Sequence, residues 1–260
     1  MKRFLFFLFL ITCSFSGEEY TLLKSIQFAD VFFTTDKLGN AYVIAGNQLL
    51  MFDSQGRPIA TYSDNTQGAL RSADASDPLK ILLYYPDFAR IIILNSKLAL
   101  QSTINLRPMG IVQPTLICNS NHEGYWVFDL QDFQLKKIDL NLRIGSESGN
   151  ISQLVGYDVL PDFMVEADNF VYLNNPSTGI LVFDLYGTYY KTIPIRNLHS
   201  FQLIGDELLY ADSGAFHSFH LKRLEEREII LPKHDSIVNA RIEQKELYLL
   251  TTASLNFYSF

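Results

Sequence analysis

An all-β fold is predicted for this chain, a six-bladed β-propeller of four-stranded antiparallel blades, and three observations predict it. The first is composition: of 260 residues 48% are apolar, 13% aromatic and 19% charged, with 20 Phe and 14 Tyr against one Trp. Such a chain is too apolar to be disordered, and aromatic rings favour pleated, densely packed strands. The second is that residues 163–195 read as four short strands cut by three turns. The apolar runs 163–165, 170–173, 180–183 and 188–193 each have strand length, and Asp168-Asn169, residues 174–179 and Tyr186-Gly187 supply turn geometry between them. A unit of this size cannot bury both faces alone, so it has to repeat. The third observation is that it does. The end of its third strand, Phe183-Asp184, has equivalents at Phe52-Asp53, Leu94-Asn95, Ile138-Asp139, Phe219-His220 and Tyr258-Ser259, 36 to 45 residues apart. That is close to the period of propeller blades.

Taken in order, the chain opens with Lys2-Arg3 before the apolar run 4–11, then Ser14-Phe15-Ser16. This predicts a secretory signal peptide over residues 1–16 with cleavage before Gly17; the apolar run is too short for a permanent membrane span. Leu10-Ile11-Thr12-Cys13 also resembles a bacterial lipobox, which would place a lipid anchor on Cys13. Residues 17–260 are then one propeller domain. Loss of Lys2 and Arg3 takes the formal charge from -7 to -9, a poor match for nucleic acid or anionic lipid, which need clustered cations. Cleavage after Ser16 leaves Cys118 without a partner, so no disulfide framework exists. Cys118, within Leu116-Ile117-Cys118, reads as a small buried apolar residue.

The first unit spans residues 31–63, with turns at Leu38-Gly39-Asn40, Gly46-Asn47 and Ser54-Gln55-Gly56. The second, 69–106, has a strand over 81–85, a turn at Pro86-Asp87-Phe88 and a return over 90–94. The third, from Pro114, has a strand over 125–130, then Gln131-Asp132-Phe133, then 135–138. Beyond Leu142 the pattern lapses: residues 145–150 are polar and rich in Gly and Ser, which predicts a long surface loop between Arg143 and Pro161. The fifth unit covers 201–231. Residues 221–228 contain helix formers but no sustained apolar stripe, so they read as a turn and an outer, solvated strand.

The sixth unit starts near Ala240 and reaches Phe260 three strands in. An unfinished sheet would expose an aromatic edge. The missing strand is predicted to be residues 20–28, paired beside 255–258 to close the ring. Strands such as 170–173 and 180–183 are apolar on both faces, as expected where each blade is sandwiched between two others; no convincing helices are present to do the covering, as they do for parallel sheets.

Pieces such as Thr35-Asp36-Lys37-Leu38-Gly39-Asn40-Ala41-Tyr42-Val43 and Leu181-Val182-Phe183-Asp184-Leu185-Tyr186-Gly187 resemble the six-bladed propellers of the NHL and YVTN kind. Those families include binding scaffolds and some enzymes. The resemblance implies a non-catalytic exported scaffold or accessory subunit of a cell-envelope complex, of the outer-membrane assembly or secretion kind, in the periplasm or at the outer membrane of a Gram-negative bacterium. Its partner would be an envelope protein and the chain a monomer by itself. The alternative it implies is a lactonase-like or glycan-processing hydrolase with calcium at the central channel.

No phosphate loop, Gly-x-Gly-x-x-Gly, His-Glu-x-x-His or Cys-x-x-Cys is present, and no catalytic residue, cofactor or metal site is expected. Gly145-Ser146-Glu147-Ser148-Gly149 has Glu where a nucleophile elbow needs Ser. His217 and His220 on a strand point to opposite faces. Asp74 and Asp77 could ligate calcium, but their setting before Pro78 favours turn formation. Residues reaching the channel are predicted to be 32–35, 71–75, 116–119, 163–166, 201–204 and 241–243, with too few acids in register for a metal site. Partner binding is expected on the face made by the loops joining second to third strands and successive blades. That face would present Asp87, Phe88, Asp132 and Phe133, with Asn174-Asn175, and Arg107 and Arg196 between blades. Phe88 and Phe133, if exposed, would form an aromatic ridge.

Overall fold

The computed structural model describes residues 20–28 and 31–260; the proposed leader and Cys13 lie outside the described residues. Strand β1 (Thr21–Gln27) precedes six four-stranded antiparallel sheets to which it contributes the last strand. Blade 1 is β2 (Phe32–Thr35), β3 (Ala41–Ala45), β4 (Gln48–Phe52) and β5 (Pro58–Ser63); blade 2 is β6 (Ser72–Asp74), β7 (Ile81–Tyr85), β8 (Arg90–Leu94) and β9 (Leu100–Asn105). Blade 3 is β10 (Pro114–Asn119), β11 (Tyr125–Asp129), β12 (Gln134–Ile138) and β13 (Ile144–Glu147), and blade 4 is β14 (Phe163–Ala167), β15 (Phe170–Asn175), β16 (Gly179–Asp184) and β17 (Tyr189–Ile193). Blade 5 is β18 (Gln202–Ile204), β19 (Glu207–Asp212), β20 (Ala215–His220) and β21 (Glu225–Ile229). Blade 6 has only β22 (Ile237–Glu243), β23 (Glu246–Thr251) and β24 (Ser254–Ser259) from its own stretch of chain.

Its fourth strand is β1, in the register Leu22 opposite Tyr258, Lys24 opposite Phe257, Ser25 opposite Asn256 and Ile26 opposite Leu255. The Phe28 amide extends the pairing to the Ala253 carbonyl at 3.0 Å. The ring is also closed by packing. Phe33, Val43 and Phe52 of blade 1 form one buried cluster with Tyr248, Leu250 and Phe257 of blade 6, with Ile26 and Phe28 against its edge.

Middle strands are buried on both faces because each blade is covered by two neighbours. Every residue of β7 and of β11 is buried, which is why these segments read as continuous apolar runs. Outer strands face solvent and lose that signature: the first five residues of β1 and four of the five of β21 are exposed.

The recurring Asp or Asn after the third strand has a mechanical role. The Asp53 Oδ1 accepts from the amides of Gln55 (3.0 Å) and Arg57 (2.9 Å), and Asn95, Asp139 and Asp184 accept from their own i+2 and i+4 amides in the same way. Each side chain thus folds the hairpin to the outer strand over itself, and each hairpin carries a one-residue register shift at that point. The fourth residue of the loop is left-handed: Gly56, Leu98, Leu142 and Gly187 have φ of 71°, 58°, 61° and 82°. Leu142 is 44% exposed, so it carries the backbone strain with little packing in return. Leu142→Asn is expected to raise stability by about 0.5–1 kcal/mol, read as a higher urea midpoint; an unchanged or lower midpoint would contradict this account of the turn.

One expectation is corrected. The region after Leu142 is not a long surface loop: β13 completes blade 3, with Lys136 opposite Glu147 and Lys137 opposite Ser146. A short helix α1 (Ile151–Val155) follows, capped by the Asn150 Oδ1 accepting from the Gln153 amide at 2.9 Å, with Ile151 buried. An outer strand needs no apolar alternation and a five-residue helix is too short to show a period.

Candidate functional site

The six inner strands β2, β6, β10, β14, β18 and β22 surround a central channel of about 650 Å³. The sequence placed these stretches there, and residues of all six line it. Phe32 and Phe163 give it apolar surface, and Phe163 is backed by the buried Phe201, the two rings meeting edge to face with centroids 5.0 Å apart. A polar chain joins blades 5, 6 and 1. The Thr35 hydroxyl donates to Glu243 Oε1 at 2.5 Å, Gln202 Nε2 donates to the same oxygen at 2.8 Å, and Arg241 Nε donates to Thr35 Oγ1 at 2.8 Å. Gln202 also accepts from the Ile242 amide at 2.9 Å, which locks its amide plane.

Enclosure acts on both charges of this chain. Burial lowers the Arg241 guanidinium below its ordinary value, against Glu243 and Asp74, which raise it; it stays protonated at neutral pH. Burial also raises the Glu243 carboxyl, against the Thr35 hydrogen bond and Arg241, which lower it. A carboxyl raised in the folded state favours folding while protonated and loses that contribution as pH rises through its folded value. Wild type is therefore expected to lose stability relative to Glu243→Gln between about pH 4 and neutrality, measured as urea midpoints at both ends; a difference that is flat or opposite in sign would contradict it.

The other channel carboxylates are largely engaged. Asp74 accepts from the Ser76 amide (2.8 Å) and the Asn119 amide (2.6 Å). Glu166, its side chain fully buried, takes the Trp126 indole N–H at 2.6 Å and the Asn121 amide at 2.9 Å. Asp162 takes Asn174 Nδ2 at 2.6 Å and lies 3.1 Å from His199 Nδ1. Asp77 caps its own turn through the Leu79 amide at 3.0 Å. His217 is paired with Glu226 at 3.1 Å, whereas His220 Nδ1 accepts from the Lys222 and Arg223 amides at 3.3 Å. Cys118 is buried and its thiol is pushed well up by desolvation.

The predicted binding face, at which the inner strands begin, has Phe88 42% exposed, with the Arg90 guanidinium 5.4 Å from its ring centroid. Asp87 Oδ2 accepts from the Ala69 amide at 3.0 Å and its carbonyl from Arg107 Nη2 at 3.2 Å, so both residues brace their hairpin. Asp132 is held by Lys136 Nζ at 2.5 Å. Phe133 packs against the buried cluster of Trp126 and Phe128, so the two rings do not share an exposed ridge. Arg196 is exposed on the crossing from blade 4 to blade 5. The sequence did not reveal the exposed apolar residues of the same loops: Val112, Leu154 and Leu160 are 59%, 55% and 63% exposed. A single apolar residue in a loop carries no periodic signal.

No protein-family description matches the sequence, and no curated protein matches it. Solved structures do. The virginiamycin B lyase of Staphylococcus aureus shares 11% identity over 93% of this chain and 100% of its own, with a TM-score of 0.65. BBS1N, solved in complex with ARL6DN, shares 14% over 87% and 76%, with a TM-score of 0.57. BamB of Moraxella catarrhalis shares 10% over 93% and 98%, with a TM-score of 0.52. The chain has the propeller fold. At such identities the likeness extends to architecture and not to activity.

Proposed function

We propose that this chain is a non-catalytic, exported propeller that binds another protein of the cell envelope through the face at which its inner strands begin. The observation that carries the reading is the set of exposed apolar side chains on the loops of blades 2 to 4, Phe88, Val112, Leu154 and Leu160. Exposed apolar residues on loops that also carry exposed charges such as Arg107 and Arg196 suit protein docking. The basic, then apolar, N-terminal segment supports export to the periplasm or outer membrane. One structural neighbour, BBS1N, is itself described in complex with a protein partner. The hydrolase alternative asks for channel carboxylates free to hold calcium, and four of the five that line the channel among the described residues are filled by protein donors.

The test compares wild type with the double variant Phe88→Asp, Leu154→Asp as tagged proteins recovered from envelope membranes, with mass spectrometry of what accompanies them. A companion stoichiometric with wild type and absent from the variant is expected. No companion, or one that the variant retains, would contradict the reading.

A further inference from the structure

The channel shows an imbalance between donors and acceptors. Among the described residues three cations line it, Arg71 at the end where the inner strands begin, Lys37 at the other and Arg241 within β22. None of the three forms an ion pair with a described residue, whereas Asp74, Asp162, Glu166 and Glu243 have accepted neutral donors; Asp168 alone sits exposed at its turn. Arg241 is the sharpest case. Its Nε is fixed by Thr35 at 2.8 Å, which orients the guanidinium plane, and no described residue accepts from its two terminal nitrogens. Arg241 is half-buried in the channel lining, and a planar fork with Nε already held is preorganised for a carboxylate. The volume of about 650 Å³ lies within the size of small-molecule sites, and Phe163, backed by the buried Phe201, offers an apolar surface.

We infer that the central channel binds a small organic carboxylate, its anionic group held by the terminal nitrogens of Arg241 and its apolar body against Phe163. This concerns the channel alone and stands whether or not the outer face docks a protein. Glu243 and Thr35 are positioning residues in this arrangement: they fix Arg241 and leave its outer nitrogens to the ligand.

The experiment is calorimetric titration of the purified protein with 3-phenylpropionate, indole-3-acetate and octanoate, each beside its primary amide. At least one carboxylate is expected to bind, with its amide weaker by about tenfold or more. Arg241→Lys, checked for native circular dichroism, is expected to weaken the acid by about tenfold, since an ammonium cannot present paired donors. If that variant does not fold, the acid-to-amide ratio on wild type decides alone. An amide bound as tightly as its acid, affinity unchanged in folded Arg241→Lys, or no carboxylate bound at millimolar concentration would overturn the inference.

Discussion

Lys136→Met is expected to cost about 3–5 kcal/mol of stability, the usual penalty for stranding one member of a buried ion pair. Lys136 lies on β12 with its side chain 4% exposed, 2.9 Å from Asp129, which is 0% exposed, and 2.5 Å from Asp132. Burial alone would lower its ammonium; the hydrogen bonds to Asp132 and Asp129 outweigh that and raise it. Met fills much of the same volume, so the loss is charge compensation and not packing. Asp129 Oδ1 separately accepts from the Gln113 amide at 3.1 Å and the Gln131 amide at 3.2 Å, contacts that Asn would keep. The double variant Lys136→Met, Asp129→Asn should therefore recover most of the loss. Urea denaturation of the two variants checks this: a single variant within about 1 kcal/mol of wild type, or a double variant no better than the single, would contradict it.

Removal of residues 20–28 is the second large effect, expected to cost about 3 kcal/mol or more. Ile26 and Phe28 pack against the cluster between blades 6 and 1, and apolar burial of that kind is worth about 1.5–3 kcal/mol per fully buried side chain. The deletion also leaves one edge of β24 unpaired beside Tyr258 and Phe257, a template for association. A lowered thermal midpoint with concentration-dependent aggregation is the expected result; unchanged melting would contradict it. The packing of Phe33 and Val43 on Tyr248 and Leu250 remains, so the shortened chain should lose stability without losing its strand content by circular dichroism.

The blade period and the ring closure could be read from the chain because they rest on local chemistry: runs such as Leu181-Val182-Phe183 buried on both faces, and an Asp or Asn that caps the outer hairpin in blades 1 to 4. Blade 3 was read incompletely because Ile144–Glu147 lies outermost and presents no apolar stripe. For the site, inner-strand membership of Thr35, Gln202, Arg241 and Glu243 was legible, but their mutual contacts were not. Thr35 and Glu243 are 208 positions apart, and only closure of the ring brings them together. The idle nitrogens of Arg241 likewise follow from what surrounds them in space. Phe88 and Phe133 hold equivalent places in sequence and differ in exposure because the chain after β13 supplies α1 beside Phe133, whose carbonyl accepts from the Ile151 amide at 2.8 Å.

Closure of the six blades by β1 underlies both the channel and its Thr35–Glu243 seam, and hydrogen exchange on β24 measures it directly. Successive amides of a strand point to opposite neighbours, here β23 and β1. Uniformly slow exchange across residues 255–258, comparable to β23, is the predicted result. Alternating slow and fast amides, the pattern of an open edge, would contradict it.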